Sequence, residues 1–393
     1  MEFKSMNFYT FTKIIYAICM VNRLIKIEDL ISPKRVLIIY GPRRVGKTTL
    51  LRNFLSNTKL KCKFDTGENI RLKALFDSGN IEQLKEYASG YELIAIDEAQ
   101  AIPHIGAGLK MMVDSIPGLH IIVTGSSSFE LRQKTGEPLT GRKRTVVLYP
   151  FSLAELLNKY NHSELKEKLE ELLIFGSYPE VVTAKTKKEK IFILKELCDS
   201  YILKDVFSLE RLRAPMQLVK LLKILALQAG SEVSLNKLAS DIGLDVKTII
   251  RYTELLENGF IIRRVGSYSG NLRKEITSKA KYYFYDNGIR NALISQFQNL
   301  NERNDTGALF ENFMMMERIK NNDYKSRNAN VFFWRTHDGS EVDLVESRNG
   351  KLKAIEFKWN KKNRECAPRQ WRETYPNASF QVLDRNNFMK IIE

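Results

Sequence analysis

The chain has 393 residues, enough for two or three domains that each bury a core, and with 27% charged and 44% hydrophobic residues it is not wholly disordered. Its four cysteines, Cys19, Cys62, Cys198 and Cys366, form no C-x-x-C pair, and its four histidines are scattered, which excludes a disulfide scaffold and a cysteine zinc ribbon. The net charge is +16, with 37 Lys+Arg against 26 Asp+Glu in residues 185–393, so the C-terminal half is the expected contact for a polyanion such as DNA.

Residues 1–21 read as an N-terminal extension, an amphipathic arm or extra helix. Its apolar run Ile14–Val21 has eight residues, against the roughly 20 that a membrane helix needs. The expectation is a cytoplasmic protein without membrane contact. Residues 22–150 follow as an α/β unit. Val36–Tyr40, Leu93–Ile96 and His120–Thr124 are continuous apolar runs, the pattern of strands buried on both faces of a parallel sheet. Thr48–Leu55 and Ile81–Ser89 between them read as helices.

The first strand runs into G-x-x-x-x-G-K-[ST], which assigns Gly41, Pro42, Arg43, Arg44, Val45, Gly46, Lys47, Thr48 and Thr49 to nucleotide binding. Glycines let backbone N–H groups face phosphates, and the helix that follows adds its positive end. Lys47 is expected on the β- and γ-phosphates of ATP and Thr48 on Mg²⁺. Asp97 and Glu98 close the second strand. The first suits the metal and the second suits a water-activating base. Thr124 and Ser126, at the end of the third strand, are expected to sit between the other two and to touch the γ-phosphate or the water. Arg142, in a cationic turn ahead of Val146–Leu148, is either an arginine finger for a neighbouring subunit in a homo-oligomer or a solvated basic turn.

The segments GPRRVGKTTLL, LIAIDEAQ, IIVTGSSSFEL, LTGR with LYPFSLAEL, and FGSYPEVV resemble those of a large prokaryotic family of AAA+ ATPases that carry a C-terminal domain of uncharacterised function. The resemblance covers roughly residues 22–393. It implies the AAA+ fold, Mg-ATP, the roles given above to Lys47, Thr48, Asp97 and Glu98, and a functional Arg142.

Residues 151–213 read as a helical linker or lid, with helices expected at Leu153–Leu157, Leu165–Phe175 and Ile191–Arg211. Residues 214–290 read as a winged helix. A helix from Pro215 is followed by two more around Gly243, capped by Ser234 and Asp245, and then by a hairpin of Phe260–Arg264 and Lys281–Tyr285. Lys247, Thr248 and Arg251 on the second helix of that pair, with Arg263, Arg264, Arg273 and Lys274 on the wing, suit DNA, although such modules also serve protein–protein packing.

In residues 291–393, Phe332–Thr336, Ser340–Glu346 and Leu352–Trp359 read as strands joined by Asp338-Gly339 and Asn349-Gly350 turns. Period two sets Glu341 with Asp343, and Glu356 with Lys358. The run E-V-D…I-E-F-K resembles the active site of the PD-(D/E)xK nuclease superfamily, with valine where that pattern has proline. The resemblance implies that Asp343, Glu356 and Glu311, the last on a helix Ala308–Lys320, hold Mg²⁺ and that Lys358 serves the attacking water. Plain salt bridges across a hairpin are the alternative.

The chain as a whole is expected to couple ATP hydrolysis to DNA contact. The other expectation is a nucleotide-gated scaffold that recruits a protein partner without cleavage.

Overall fold

The computed structural model describes residues 21–125, 139–199, 215–271, 275, 279–360 and 366–393. Three sheets follow one another along the chain. The first is parallel throughout and has five strands: β1 Val36–Tyr40, β2 Cys62–Thr66, β3 Leu93–Asp97, β4 His120–Gly125 and β5 Lys143–Val147, in the order β2-β3-β4-β1-β5. β1, β3 and β4 are buried along almost their whole length because helices cover both faces, which is why these segments read as unbroken apolar runs. β4 therefore lies between β1 and β3, and the carboxyl ends of all three meet on one edge.

The next region is helical. The reading of Leu165–Phe175 as one helix is corrected to two, His162–Glu167 and Leu169–Phe175, broken at Lys168. Three helices, Pro215–Leu227, Leu235–Ile242 and Val246–Asn258, then pack beside an antiparallel sheet of β6 Glu232–Val233, β7 Ile262–Gly266 and β8 Ala280–Phe284, in the order β6-β8-β7. The Ser234 side chain caps Lys237 N–H and the Asp245 side chain caps Thr248 N–H, so each helix of the pair starts where its cap stands.

The third sheet has the order β12-β11-β10-β9, from β9 Asn330–Arg335, β10 Glu341–Arg348, β11 Lys351–Lys358 and β12 Ser379–Asp384. The long helix Thr306–Tyr324 precedes it, and the short helix Arg369–Thr374 comes before the last, parallel strand. The Asn349-Gly350 turn has φ +49° and +74°, the primed geometry that matches strand twist.

One segment ties the first sheet to the last unit. The Tyr149 hydroxyl donates to Asp323, and Tyr149 N–H donates to the Tyr324 hydroxyl at 3.1 Å. Leu153 N–H donates to Glu317 at 2.6 Å, and Lys320 donates to the Phe151 carbonyl at 3.2 Å. Glu317 and Lys320 are buried and pair at 2.8 Å. Among the described residues, no helix is long and apolar enough to cross a membrane.

Candidate functional site

The phosphate loop leaves β1 at Gly41, whose φ is +151°. A Cβ there would stand 2.1 Å from the Leu148 carbonyl oxygen, so only glycine lets the loop pass this close to the chain leaving β5. Gly46, with φ +93°, sits left-handed at the start of the Lys47–Asn57 helix and turns the loop into the helix axis. The helix N-terminus thus faces the loop with the positive end of its dipole.

Lys47 is 4% exposed, and its ammonium donates to the Gly41 and Pro42 carbonyls at 2.9 and 2.8 Å. The Thr48 hydroxyl donates to Asp97 Oδ2 at 2.7 Å. The Thr124 hydroxyl donates to the other oxygen, Asp97 Oδ1, and accepts from Glu98 N–H at 3.2 Å. A chain of hydrogen bonds therefore crosses the carboxyl edge of the sheet from the loop to β3 and β4. Glu98 holds φ +51°, a left-handed conformation uncommon for a side chain of its size, and its carboxylate accepts from the Gln100 amide. A hydroxyl and a carboxylate converging beside a phosphate loop are hard oxygen donors, which fits Mg²⁺.

Arg23 was not found by sequence reasoning. Its guanidinium donates to the Val45 carbonyl inside the loop, to the Tyr149 carbonyl at 3.0 Å and to Glu155 at 3.1 Å, and it lies 4.3 Å from the Phe151 ring centroid. Glu155 is fully buried and also accepts from Leu24 and Ser152 N–H groups. Arg23 thus braces the loop from behind. Arg44, with φ +57°, reaches the other way to Glu180 and Glu196 at 3.6 and 3.7 Å.

Arg142 stands apart. Its carbonyl accepts from Val36 N–H at 2.8 Å, which places it at the amino edge of the sheet. The phosphate loop lies at the opposite edge, one strand length or ~16 Å away. The Arg142 side chain pairs with Asp114 at 2.5 Å, so within one chain it does not reach the loop. Ser126, Arg273 and Lys274 lie outside the described residues. Lys247 and Arg251 are exposed on the Val246–Asn258 helix, whereas Arg263 pairs with Glu257 at 3.7 Å.

The C-terminal acids form a second cluster. β10 pairs with β11 as far as Leu344–Ile355, and just beyond that pair Asp343 Oδ2 accepts from Phe357 N–H at 2.7 Å. Burial, reinforced by Glu311, pushes the Asp343 carboxyl up to about 8. Glu311 accepts from Lys281 at 3.0 Å and from the Tyr283 hydroxyl at 2.8 Å. Lys281 also pairs with Glu341 at 2.5 Å, and Lys358 pairs with Glu356 at 2.7 Å. Burial draws the Lys281 ammonium down, but Glu311, Glu341 and Asp343 outweigh it and hold it above the ordinary lysine value.

In this structure the expected metal set of Glu311, Asp343 and Glu356 stands among lysines, with Glu311 on Lys281 and Glu356 on Lys358. Among the described residues, no group of three or more His, Cys, Asp or Glu side chains is disposed to hold a metal ion. Glu311, Glu341 and Glu356 already face Lys281, Lys358 and Arg335, the last 3.9 Å from Glu341. Sequence reasoning missed Lys281 and Tyr283 as members of this cluster. The one signal was a lysine opening an otherwise apolar strand, KYYFY.

Residues 33–157 match the AAA domain family. Residues 166–300 match a domain of unknown function (DUF8612), and residues 306–391 match another (DUF4143). An uncharacterized protein of Methanocaldococcus jannaschii is 26% identical over 366 residues, covering 88% of this chain and 79% of that protein. An uncharacterized protein of Mycobacterium tuberculosis is 24% identical over 327 residues, covering 82% and 70%. One of Haemophilus influenzae is 28% identical over 302 residues, covering 70% and 74%. The AAA domain match, with the five-stranded parallel sheet, supports an ATPase of the AAA type that binds nucleotide.

Proposed function

We propose that this chain is an Mg²⁺-dependent AAA+ ATPase whose nucleotide state governs contact with DNA. The observation that carries the reading is the Thr48–Asp97–Thr124 chain of hydrogen bonds beside the Gly41–Lys47 loop. In this reading the phosphates of ATP compete with the Gly41 and Pro42 carbonyls for the Lys47 ammonium, while loop N–H groups take the remaining phosphate oxygens. Thr48 and Asp97 would hold Mg²⁺, which supplies charge neutralisation between the β- and γ-phosphates. Glu98, oriented by Gln100 and by its backbone bond to Thr124, accepts a proton from water as the water oxygen bonds to the γ-phosphorus. The bond from that phosphorus to the bridging oxygen breaks, leaving ADP and phosphate. Arg142 acts in this scheme only from a neighbouring copy in a homo-oligomer.

The helix, β6, helix, helix, β7, β8 order supports a winged helix, with Lys247 and Arg251 exposed on its second paired helix for DNA phosphates. The helix, three strands, helix, strand order of the C-terminal unit supports a PD-(D/E)xK-like fold. The lysine-paired acids favour contact without cleavage, and no metal-dependent step is assigned to them.

A second reading, a nucleotide-gated scaffold for a protein partner, is favoured by Ile250, which is 39% exposed between Lys247 and Arg251. ATP turnover measured with and without DNA separates the two. Stimulation by DNA supports the first reading, and turnover indifferent to DNA with a co-purifying protein supports the second. A folded chain without turnover under either condition removes both.

A further inference from the structure

Glu311, one of the acids that the nuclease resemblance would give to a divalent ion, is served by a different cation. The Lys281 side chain is 3% exposed, and its ammonium lies 3.0 Å from Glu311 and 2.5 Å from Glu341. Its ammonium is also 5.3 Å from the centre of the Phe333 ring, over the aromatic face. The buried Tyr283 hydroxyl takes a further position on Glu311. Lys281 and Tyr283 stand two residues apart on β8, whereas Glu311 and Glu341 belong to the Thr306–Tyr324 helix and β10. The compensating charge therefore comes from a neighbouring unit. The same junction is closed by backbone: Ser267 bridges to Phe333, and Tyr268 N–H donates to the Phe333 carbonyl at 2.7 Å.

A divalent ion must shed water and collect several oxygens at once. An ammonium already paired with Glu311 from that set, and with Glu341 beside it, satisfies their charge without that dehydration. The lysine end of the pair is buried, so parting it would strand the ammonium in a low-dielectric interior.

We propose that Lys281 is an internal cation that takes the place of a divalent ion in this carboxylate cluster and latches the three-stranded module onto the C-terminal sheet. A divalent ion gains these acids only when β8 withdraws. The inference is independent of the ATPase reading and would stand for a chain that hydrolyses nothing.

Manganese alone is the probe, titrated into the full chain and followed by the electron paramagnetic resonance of the free ion. An Asp97→Asn background removes the contribution of the nucleotide site. The parent is expected to bind no ion in the sub-millimolar range. Lys281→Met is expected to gain one, to lose it again when Asp343→Asn is added, and to show faster amide exchange in residues 280–284. Lys281→Arg keeps the charge and is expected to gain none. A folded Lys281→Met that binds no ion overturns the proposal. If Lys281→Met does not melt cooperatively, the parent compared with its Asp343→Asn variant still decides. An ion held by the parent and lost in that variant overturns the proposal, and no ion in either supports it.

Discussion

The two acid clusters use similar side chains and keep them in opposite states. At the phosphate loop, Asp97 is held by two hydroxyls, Thr48 and Thr124, while the nearby lysine bonds to backbone carbonyls. In the C-terminal unit, Glu311, Glu341 and Glu356 are held by lysines. A carboxylate held by neutral hydroxyls keeps its charge for an incoming cation, whereas carboxylates paired with lysine have spent theirs. The first cluster is poised for exchange with ligand, and the second is a closed ion network.

The sharpest way to break this comparison is at the open site. Glu98→Gln is expected to lower kcat by roughly 10²–10⁴-fold while leaving ATP affinity near the parent value, because shape survives and the proton acceptor does not. Lys47→Ala is expected to lose nucleotide binding itself. Calorimetry and phosphate release measure both, and equal loss of affinity in the two variants would refute the assigned roles.

The brace behind the loop comes next. Arg23→Met leaves Glu155 buried without its cation, a defect costing about 3–5 kcal/mol. Adding Glu155→Gln is expected to return part of that loss in urea unfolding, whereas additive losses would show that the two do not act as a pair.

The closed network predicts a pH effect. An unfolded aspartate titrates near 4, and in the fold burial, reinforced by Glu311, pushes Asp343 up to about 8. Between these values the folded chain holds a proton that the unfolded chain has lost, so this residue's contribution to stability falls as pH rises through that window. Asp343→Asn is expected to flatten that part of the slope between pH 5 and pH 8. An unchanged slope would mean that Asp343 ionises in the fold as it does in the open chain. The smallest effect is expected at Arg44, whose pairs with Glu180 and Glu196 are half-exposed. Arg44→Ala should cost about 1 kcal/mol or less, and a larger loss in urea would give the loop a third anchor.

What the sequence disclosed follows from where each partner lies. The phosphate loop was legible because its glycines, lysine and threonine fall within eight residues and follow a wholly buried strand. The caps at Ser234 and Asp245 and the Asn349-Gly350 turn were legible for the same reason, since each acts on its immediate neighbours. β2 escaped notice because Cys62–Thr66 is half-buried and mixes polar with apolar residues, and β6 because it has two residues. Arg23 was out of reach because its side-chain partners Tyr149 and Glu155 lie 126 and 132 positions away. The lysine that meets Glu311 was out of reach for the same reason. Spacing shows which acids share a strand face, and it is silent about a lysine arriving from another sheet.

The segment from Tyr149 to Leu153 sets a limit on how this chain can be divided. It carries the Tyr149 carbonyl on which Arg23 rests, and it receives Glu317, Lys320, Asp323 and Tyr324 from a helix more than 150 positions later. A fragment ending near residue 300 would keep every residue of the nucleotide site. It would also strip the floor beneath that site of its hydrogen-bond partners and uncover the Tyr149 ring, which packs at 5.8 Å from that of Tyr324. The borders that composition draws along the chain are therefore not seams along which it can be severed. The C-terminal helix is as much a foundation of the phosphate loop as the strand that leads into it.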